Sequence, residues 1–176
     1  MNPITQAIEN DSIAKIKTLI KEGADLNKPI LIGEEYDLEE HDEISPFFYA
    51  IRKHASIEML ELFVENGVDL NQIDSDGISA LDMAIKFKCL EVIQYCIDNG
   101  FDLNSTQRKS GILPVMLAAC FHDIDMMELL LSNGADINAI DKSRMSAKDY
   151  AKKLGQKKMV EFLDSKGAKF SAYPNE

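Results

Sequence analysis

The sequence predicts an all-α repeat solenoid, and three observations predict it. Gly23-Ala24-Asp25-Leu26-Asn27 returns as Gly67-Val68-Asp69-Leu70-Asn71, Gly100-Phe101-Asp102-Leu103-Asn104 and Gly134-Ala135-Asp136-Ile137-Asn138. A worn fifth copy starts at Gly167-Ala168-Lys169, so the glycines stand 44, 33, 34 and 33 residues apart. Sixteen residues before them lies a small-residue column at Ala7, Ala84, Ala118 and Ala151, with Ala50 displaced by one. Between column and glycine, apolar residues such as Val92, Ile93, Cys96 and Ile97 recur with helical period. Self-similarity at such a period means stacked copies of one small unit, none able to bury its apolar face alone.

Each copy reads as two short helices. Ser45-Pro46, Ser79-Ala80, Leu113-Pro114 and Ser146-Ala147 mark starts, with Ser as N-cap or Pro in the first turn. In the third copy the first helix spans 80–86 and the second 90–99. Its apolar stripe repeats at Leu60, Phe63 and Val64, and again at Met127, Leu130 and Leu131. Asn66-Gly67, Asn99-Gly100 and Asn133-Gly134 would suit type I′ hairpin turns, but the residues before them have helical, not alternating, periodicity. These glycines are therefore left-handed C-caps that end the second helix. The displaced Ala50 places one extra residue between the two helices of the second copy, near His54.

The period, Ser79-Ala-Leu-Asp-Met-Ala-Ile85 and the Gly-x-Asp-Leu-Asn closures together resemble the ankyrin repeat over about residues 2–169. The resemblance implies five helix–turn–helix units with β-turn fingers, at about 1–27, 28–71, 72–104, 105–138 and 139–169, with a flexible tail at 170–176. Ser79 and Ser146 stand where the family has Thr, and Asp82 where it has His. That departure is expected to weaken hydrogen bonds across the loops. Lys15, Lys17 and Lys21 in the first copy, and Lys148, Lys152, Lys153, Lys157 and Lys158 in the fifth, read as polar outer faces. Asp164 interrupts the Ile20/Val64/Ile97/Leu131 column, so both end units are expected to be caps.

The chain has 176 residues, 45% apolar and 28% charged, with 19 basic against 30 acidic groups and a net charge of −11. Such a balance repels phosphates at long range and argues against nucleic acid and anionic membranes as partners. The longest stretch without a charged residue, 110–122, is too short to cross a bilayer. The first residues lack a basic n-region and an apolar h-region. Cys89, Cys96 and Cys120 are odd in number and sit in apolar surroundings, as reduced thiols do. A cytoplasmic protein, monomeric when free, is expected.

One spacing is irregular. About ten extra residues lie between Asn27 and Ser45, a long acidic loop between units 1 and 2. It carries Glu34, Glu35, Asp37, Glu39, Glu40, Asp42 and Glu43, with Tyr36 and Leu38 among them. In the ankyrin layout this is a lengthened finger beside the binding face. Interleaved apolar residues favour a binding role, and a solvated acidic loop is the plain alternative. Residues 1–138 carry 10 basic and 25 acidic groups, and 139–176 carry 9 and 5. The negative field therefore steers a partner with a basic surface toward the first four units.

Catalytic chemistry finds little support. His41, His54 and His122 fall in the acidic loop and two helix–helix turns, and no CxxC, HExxH or glycine-rich phosphate loop occurs. Asp74-x-Asp76-Gly77 lacks the downstream Glu of a calcium loop and reads as a β-turn tip. No cofactor or metal is expected.

Resemblance to the ankyrin family supplies the binding columns: finger tips and the exposed edge of each first helix. They fall at Tyr49, Arg52 and Lys53; at Ser75, Asp76, Ile78, Met83, Lys86 and Phe87; at Ile112, Leu117 and Phe121; and at Met145 and Tyr150. Tyr36, Asp37, Leu38, Glu39, Glu40, Asp42 and Glu43 add the acidic finger. Tyr49, Phe87, Phe121 and Tyr150 are either aromatic anchors or ordinary core. The expected function is non-enzymatic protein binding. An acidic stand-alone array resembles ankyrin-type immunity proteins of bacterial toxin systems, which block a basic toxin. The alternative is an adaptor, scaffold or host-interacting effector.

Overall fold

The computed structural model describes residues 2–32 and 42–173, with the backbone alone at Asp42. Its helices come in pairs: α1 Pro3–Glu9 with α2 Ile13–Lys21, α3 Pro46–Arg52 with α4 Ile57–Glu65, and α5 Ala80–Lys86 with α6 Leu90–Asp98. The remaining pairs are α7 Pro114–Cys120 with α8 Ile124–Ser132, and α9 Ala147–Lys153 with α10 Lys157–Ser165. Two strands, β1 Ile30–Ile32 and β2 Asp42–Ile44, pair antiparallel between the first two helix pairs. The chain divides into two compact bodies, Met1–Gln72 and Ile73–Glu176. This is an all-α repeat solenoid fold.

The capping signals act as the sequence suggests. The Asn2 side chain accepts the Ile4 N–H at 2.9 Å, and the hydroxyls of Ser45, Ser79 and Ser146 accept N–H groups three residues on. At Leu113, which has no side-chain acceptor, Pro114 opens the helix and removes one orphan donor. Every second helix ends with a glycine at positive φ, between +81° and +94°. Gly100 N–H donates to the Ile97 carbonyl and Phe101 N–H to the Cys96 carbonyl, at 2.9 and 3.1 Å. The same two bonds recur at Gly23, Gly67, Gly134 and Gly167 and satisfy carbonyls that the helix leaves open.

The turn inside each pair has its own left-handed residue: Asp11, His54, Lys88, His122 and Gly155. This explains two of the histidines, since Asp and His enter that region more readily than branched residues. The N–H of the following residue returns to the carbonyl of the alanine column, at Ala7, Ala50, Ala84, Ala118 and Ala151. Ala50 thus holds its place in the column, and the extra residue is Ser56. It caps α4 and donates both its N–H and its hydroxyl to Asp11 Oδ1, at 3.0 and 3.1 Å. The column alanines are at most 2% exposed, which lets helices pack at close range.

The closure motif has a physical meaning too. Asp25, Asp69, Asp102 and Asp136 each accept the backbone N–H of the Asn two residues on, all at 2.9 Å. In the second body two of these asparagines also reach the next repeat. Asn104 donates to the Gly134 carbonyl at 3.0 Å and accepts the Asp136 N–H at 2.7 Å, and Asn138 accepts the Lys169 N–H at 2.8 Å.

Each body has its own core. Ile8, Ile16, Phe47, Ile51, Met59, Leu60 and Phe63 fill the first; Ile85, Ile93, Cys96, Met116, Met127, Leu130, Met159 and Leu163 fill the second. In the second body α5 packs on α6 and α7, and α9 on α7 and α10.

Three expectations need correction. The extra residues of the second copy are not merely a loop, because their ends form a β-ribbon with Ile30 opposite Ile44, Leu31 opposite Glu43 and Ile32 opposite Asp42. Lys148 does not belong to an exposed polar face; it is 7% exposed. Its ammonium pairs with Asp164, reaches the Ala168 carbonyl at 3.2 Å and lies 4.1 Å from the centre of the Phe170 ring. The tail is also held at its start: the N–H groups of Ser171 and Ala172 donate to Asp149 Oδ2 at 3.0 and 3.1 Å. Tyr173 N–H donates to Asp149 Oδ1 at 3.3 Å.

Candidate interaction face

Each finger in the second body is closed by a side chain or a neighbour. Asp74 Oδ1 accepts N–H groups from Asp76 and Ile78 at 2.8 and 2.9 Å, and Asp141 Oδ1 does the same for Ser143 and Met145. Gly77, Gly111 and Arg144 occupy the left-handed corner of the three fingers. The middle finger has Arg108 in the place of the closing aspartate, and its guanidinium reaches back to Asp82 at 3.3 Å. Lys109 N–H donates to the Asp76 carbonyl at 2.9 Å, so neighbouring fingers are joined by backbone. The tips are held by these bonds and stay outside the core: the side chains of Asp76 and Lys109 are 71% and 72% exposed. Asp74 and Gly77 form a turn tip, as the sequence suggests.

Asp82 closes the start of α5. It accepts the Ser79 N–H and hydroxyl at 2.9 and 2.7 Å while Ser79 accepts the Asp82 N–H, a reciprocal capping box. Asp149 and Ser146 repeat it. Burial opposes ionisation of Asp149, yet N–H groups from Ser146, Ala172 and Ser171 and the Ser146 hydroxyl outweigh it and hold the carboxyl below its ordinary value.

The proposed contact residues fall into four groups. Arg52, Asp76, Lys86 and Glu43 are exposed; Ile78, Phe87, Phe121 and Tyr150 are half-buried. Tyr49, Met83 and Leu117 are buried, at 2%, 7% and 6%, and are corrected to core residues. All three share one column of the first helix, which the sequence reading had placed at the edge. Tyr150, the column's last member, is half-buried and donates its hydroxyl to Asp141 Oδ2 of its finger at 2.6 Å. Met145 is buried. Tyr36, Asp37, Leu38, Glu39 and Glu40 lie outside the described residues, as does the side chain of Asp42.

Tyr49 does not present its hydroxyl to a partner, because it donates it to Glu9, which also pairs with Lys53 at 2.9 Å. Hydrogen bonds from Tyr49 and Lys53 lower the Glu9 carboxyl, while burial and the same carboxylate raise the phenol. Burial pushes the Cys89 and Cys96 thiols up to about 11 and about 12, and also raises Cys120. Thiols so placed are neutral packing groups rather than nucleophiles. Among the described residues no group of three His, Cys, Asp or Glu is placed to hold a metal, and no helix is long and apolar enough to cross a membrane.

The sequence reading missed exposed cations on the same elements: Lys109 and Lys142 at finger tips, Arg144 at a finger corner and Lys153 at the end of α9. The signal was present in the register, since Lys153 is to α9 what Lys86 is to α5. It was obscured by reading the lysines of the last unit as a polar cap.

Comparison with known proteins bears on the whole chain. A family model of ankyrin repeats in three copies matches residues 4–107 and again 96–173. The mouse B-cell lymphoma 3 protein homolog is 31% identical over 110 residues, covering 62% of this chain and 25% of that protein. The E3 ubiquitin-protein ligase hecd-1 of Caenorhabditis elegans is 32% identical over 103 residues, 58% of this chain and 4% of its own length. The ankyrin repeat protein FPV244 of fowlpox virus is 26% identical over 151 residues, 86% of this chain and 20% of its own. The chain thus spans a quarter or less of these relatives. Helix pairs, finger turns and family model agree: the chain belongs to the ankyrin-repeat family, whose repeats are protein-interaction modules.

Proposed function

We propose that the chain is a non-enzymatic cytoplasmic adaptor that holds another protein against its finger tips and the ends of its first helices. The observation that supports this most is the construction of the fingers. Side-chain carboxylates and a backbone bond between neighbours fix them, while their tips stay in solvent. A rigid, exposed surface loses little entropy on association. The test is crosslinking of the full chain to its captured partner, read by mass spectrometry. Crosslinks at Lys86, Lys109 and Lys142 are expected, and replacing Asp76, Lys109 and Lys142 by alanine weakens capture without changing the melting temperature. Crosslinks confined to the second helices, at Lys157 and Lys158, contradict it.

A second reading is favoured by one observation. Five acids, Glu34, Glu35, Asp37, Glu39 and Glu40, stand in sequence between β1 and β2, and β2 itself adds Asp42 and Glu43. On this reading the chain is an inhibitor, monomeric when free, that blocks a basic protein with an acidic finger. Replacing Glu39, Glu40, Asp42 and Glu43 by their amides then slows association and flattens its salt dependence, and Tyr36→Ala speeds release about tenfold or more. Unchanged binding after the segment is cut to repeat length rules this reading out.

A further inference from the structure

We infer that the finger and first-helix face of the second body docks an acidic protein segment, opposite in sign to the partner that a net charge of −11 suggests. This rests on the protein-binding reading above and adds the chemistry of what is bound.

The basis is how charge is distributed over the repeat. Stretches 73–88, 105–121 and 139–154 form the fingers and first helices, and they hold five carboxylates. Asp82, Asp141 and Asp149 are buried and consumed by the capping boxes and the third finger. Only Asp74 and Asp76 are exposed, and Asp74 is occupied in closing its turn. The same stretches hold nine cations, of which Lys86, Lys88, Lys109, Lys142, Arg144 and Lys153 are exposed. Lys88 pairs with Asp123 at 3.8 Å and Lys109 with Asp76 at 3.4 Å, so the other four carry the argument. Most remaining acids of this body sit on second helices and closures, among them Glu91, Asp98, Asp102, Glu128 and Glu161. Folding has separated the two signs.

The cations share a side with the fingers. Lys153 follows Tyr150 by three residues on α9, one turn beyond the hydroxyl that contacts Asp141 of the finger. Lys86 stands in the same place on α5, one turn beyond Asp82, which receives Arg108 from the middle finger. Lys142 lies against that finger: a Cβ built on Gly111 would come within 2.8 and 2.9 Å of its Cγ and Cδ. Fixing the stem in this way reduces the entropy its ammonium group loses on pairing.

Two apolar residues hold one register position at the ends of first helices. Phe121 is half-buried and Leu154 is 52% exposed, at the C-caps of α7 and α9. Apolar contacts flanked by cations suit a peptide that alternates carboxylates with large apolar side chains. They suit a nucleic acid poorly. The chain's net charge of −11 opposes a long polyanion more than a short acidic segment.

The test is an NMR titration of the full chain with four probes of about twelve units: Asp/Glu with Phe/Leu, its Asn/Gln counterpart, its Lys counterpart, and a single-stranded oligodeoxynucleotide. Expected is tightest binding of the acidic apolar peptide, at least tenfold over each other probe. Shifts should centre on Lys86, Phe121, Lys142 and Lys153. Lys86→Glu with Lys153→Glu should cost tenfold or more while the melting temperature holds. A preference for the Lys peptide at the same residues overturns the inference and leaves the protein-binding reading standing. A preference for the oligonucleotide overturns both. Binding by none of the probes, or no effect of the double charge reversal, overturns the inference alone.

Discussion

Asp82 and Asp149 occupy the same position in the third and fifth helix pairs, and each closes a capping box with the serine three residues before it. Their remaining acceptor capacity goes to different places. Asp82 takes the guanidinium of Arg108, from the finger of the following repeat. Asp149 takes the backbone N–H groups of Ser171, Ala172 and Tyr173 instead. One carboxylate thus couples a repeat to its successor by a side chain, and the other anchors a short strap by main chain. Around the second one, Lys148 and Asp164 replace the apolar Leu81 and Ile97 of the third pair, and the strap's Phe170 covers Lys148. A capping position therefore keeps its local role while its outward face adapts to what lies next to it.

Among substitutions, the largest effect belongs to the junction between fingers. A Cβ at Gly77 would lie 2.0 Å from the Gln107 carbonyl oxygen, whereas Gly100 has nothing within 4 Å of the same atom. Both have positive φ, so both alanines are strained, but only Gly77→Ala must also move backbone. We expect Gly77→Ala to cost about 3 kcal/mol or more and Gly100→Ala about 1 kcal/mol, measured by urea unfolding. Equal costs would deny the close approach.

Asp149→Asn comes next, at about 2 kcal/mol, because charge-assisted bonds to the strap and Ser146 are lost together. Asp82→Asn loses one guanidinium contact and should cost about 1 kcal/mol. The pH dependence follows from the sign of the shift. The folded Asp149 carboxyl lies below the ordinary aspartate value of 3.8, so its contribution is complete above that value and fades as pH falls through the folded one. Acid unfolding below about pH 4 should therefore be blunted in Asp149→Asn. The smallest effect is expected from Lys148→Met, within about 1 kcal/mol of neutral. Removing a buried cation ends its desolvation cost as well as its pairing with Asp164. A cost of several kcal/mol in thermal melts would show that the pair is indispensable.

Much of the scaffold was legible because it is repeated. Gly100 and its equivalents could be assigned as left-handed caps by comparing copies, and Ala50 pointed to the inserted residue that proves to be Ser56. Elements present once gave no such leverage. The pairing of Ile30–Ile32 with Asp42–Ile44 depends on contacts across a nine-residue gap, and three-residue strands leave too short a pattern to read. The face was legible only in part. Arg52, Asp76 and Lys86 are exposed as expected, but Tyr49, Met83 and Leu117 turned inward because a one-column error on a helix is about 100° of rotation. Lys148 misled because a lysine at a terminal repeat suggests solvent, and its partner Asp164 stands sixteen residues away.

In the second body the closures at Gly134 and Gly167 are bonded to an asparagine side chain of the preceding repeat, and the strap to Asp149, which amide hydrogen exchange reads out residue by residue. The Asp136 N–H donates to Asn104, Lys169 N–H to Asn138, and Ser171 and Ala172 N–H to Asp149. These four amides lie outside helices and strands, where protection otherwise has no source. Slowed exchange is expected at all four, lost at Asp136 alone in Asn104→Ala and at Ser171 and Ala172 in Asp149→Asn. Exchange at the free-peptide rate in the unmodified chain would contradict it.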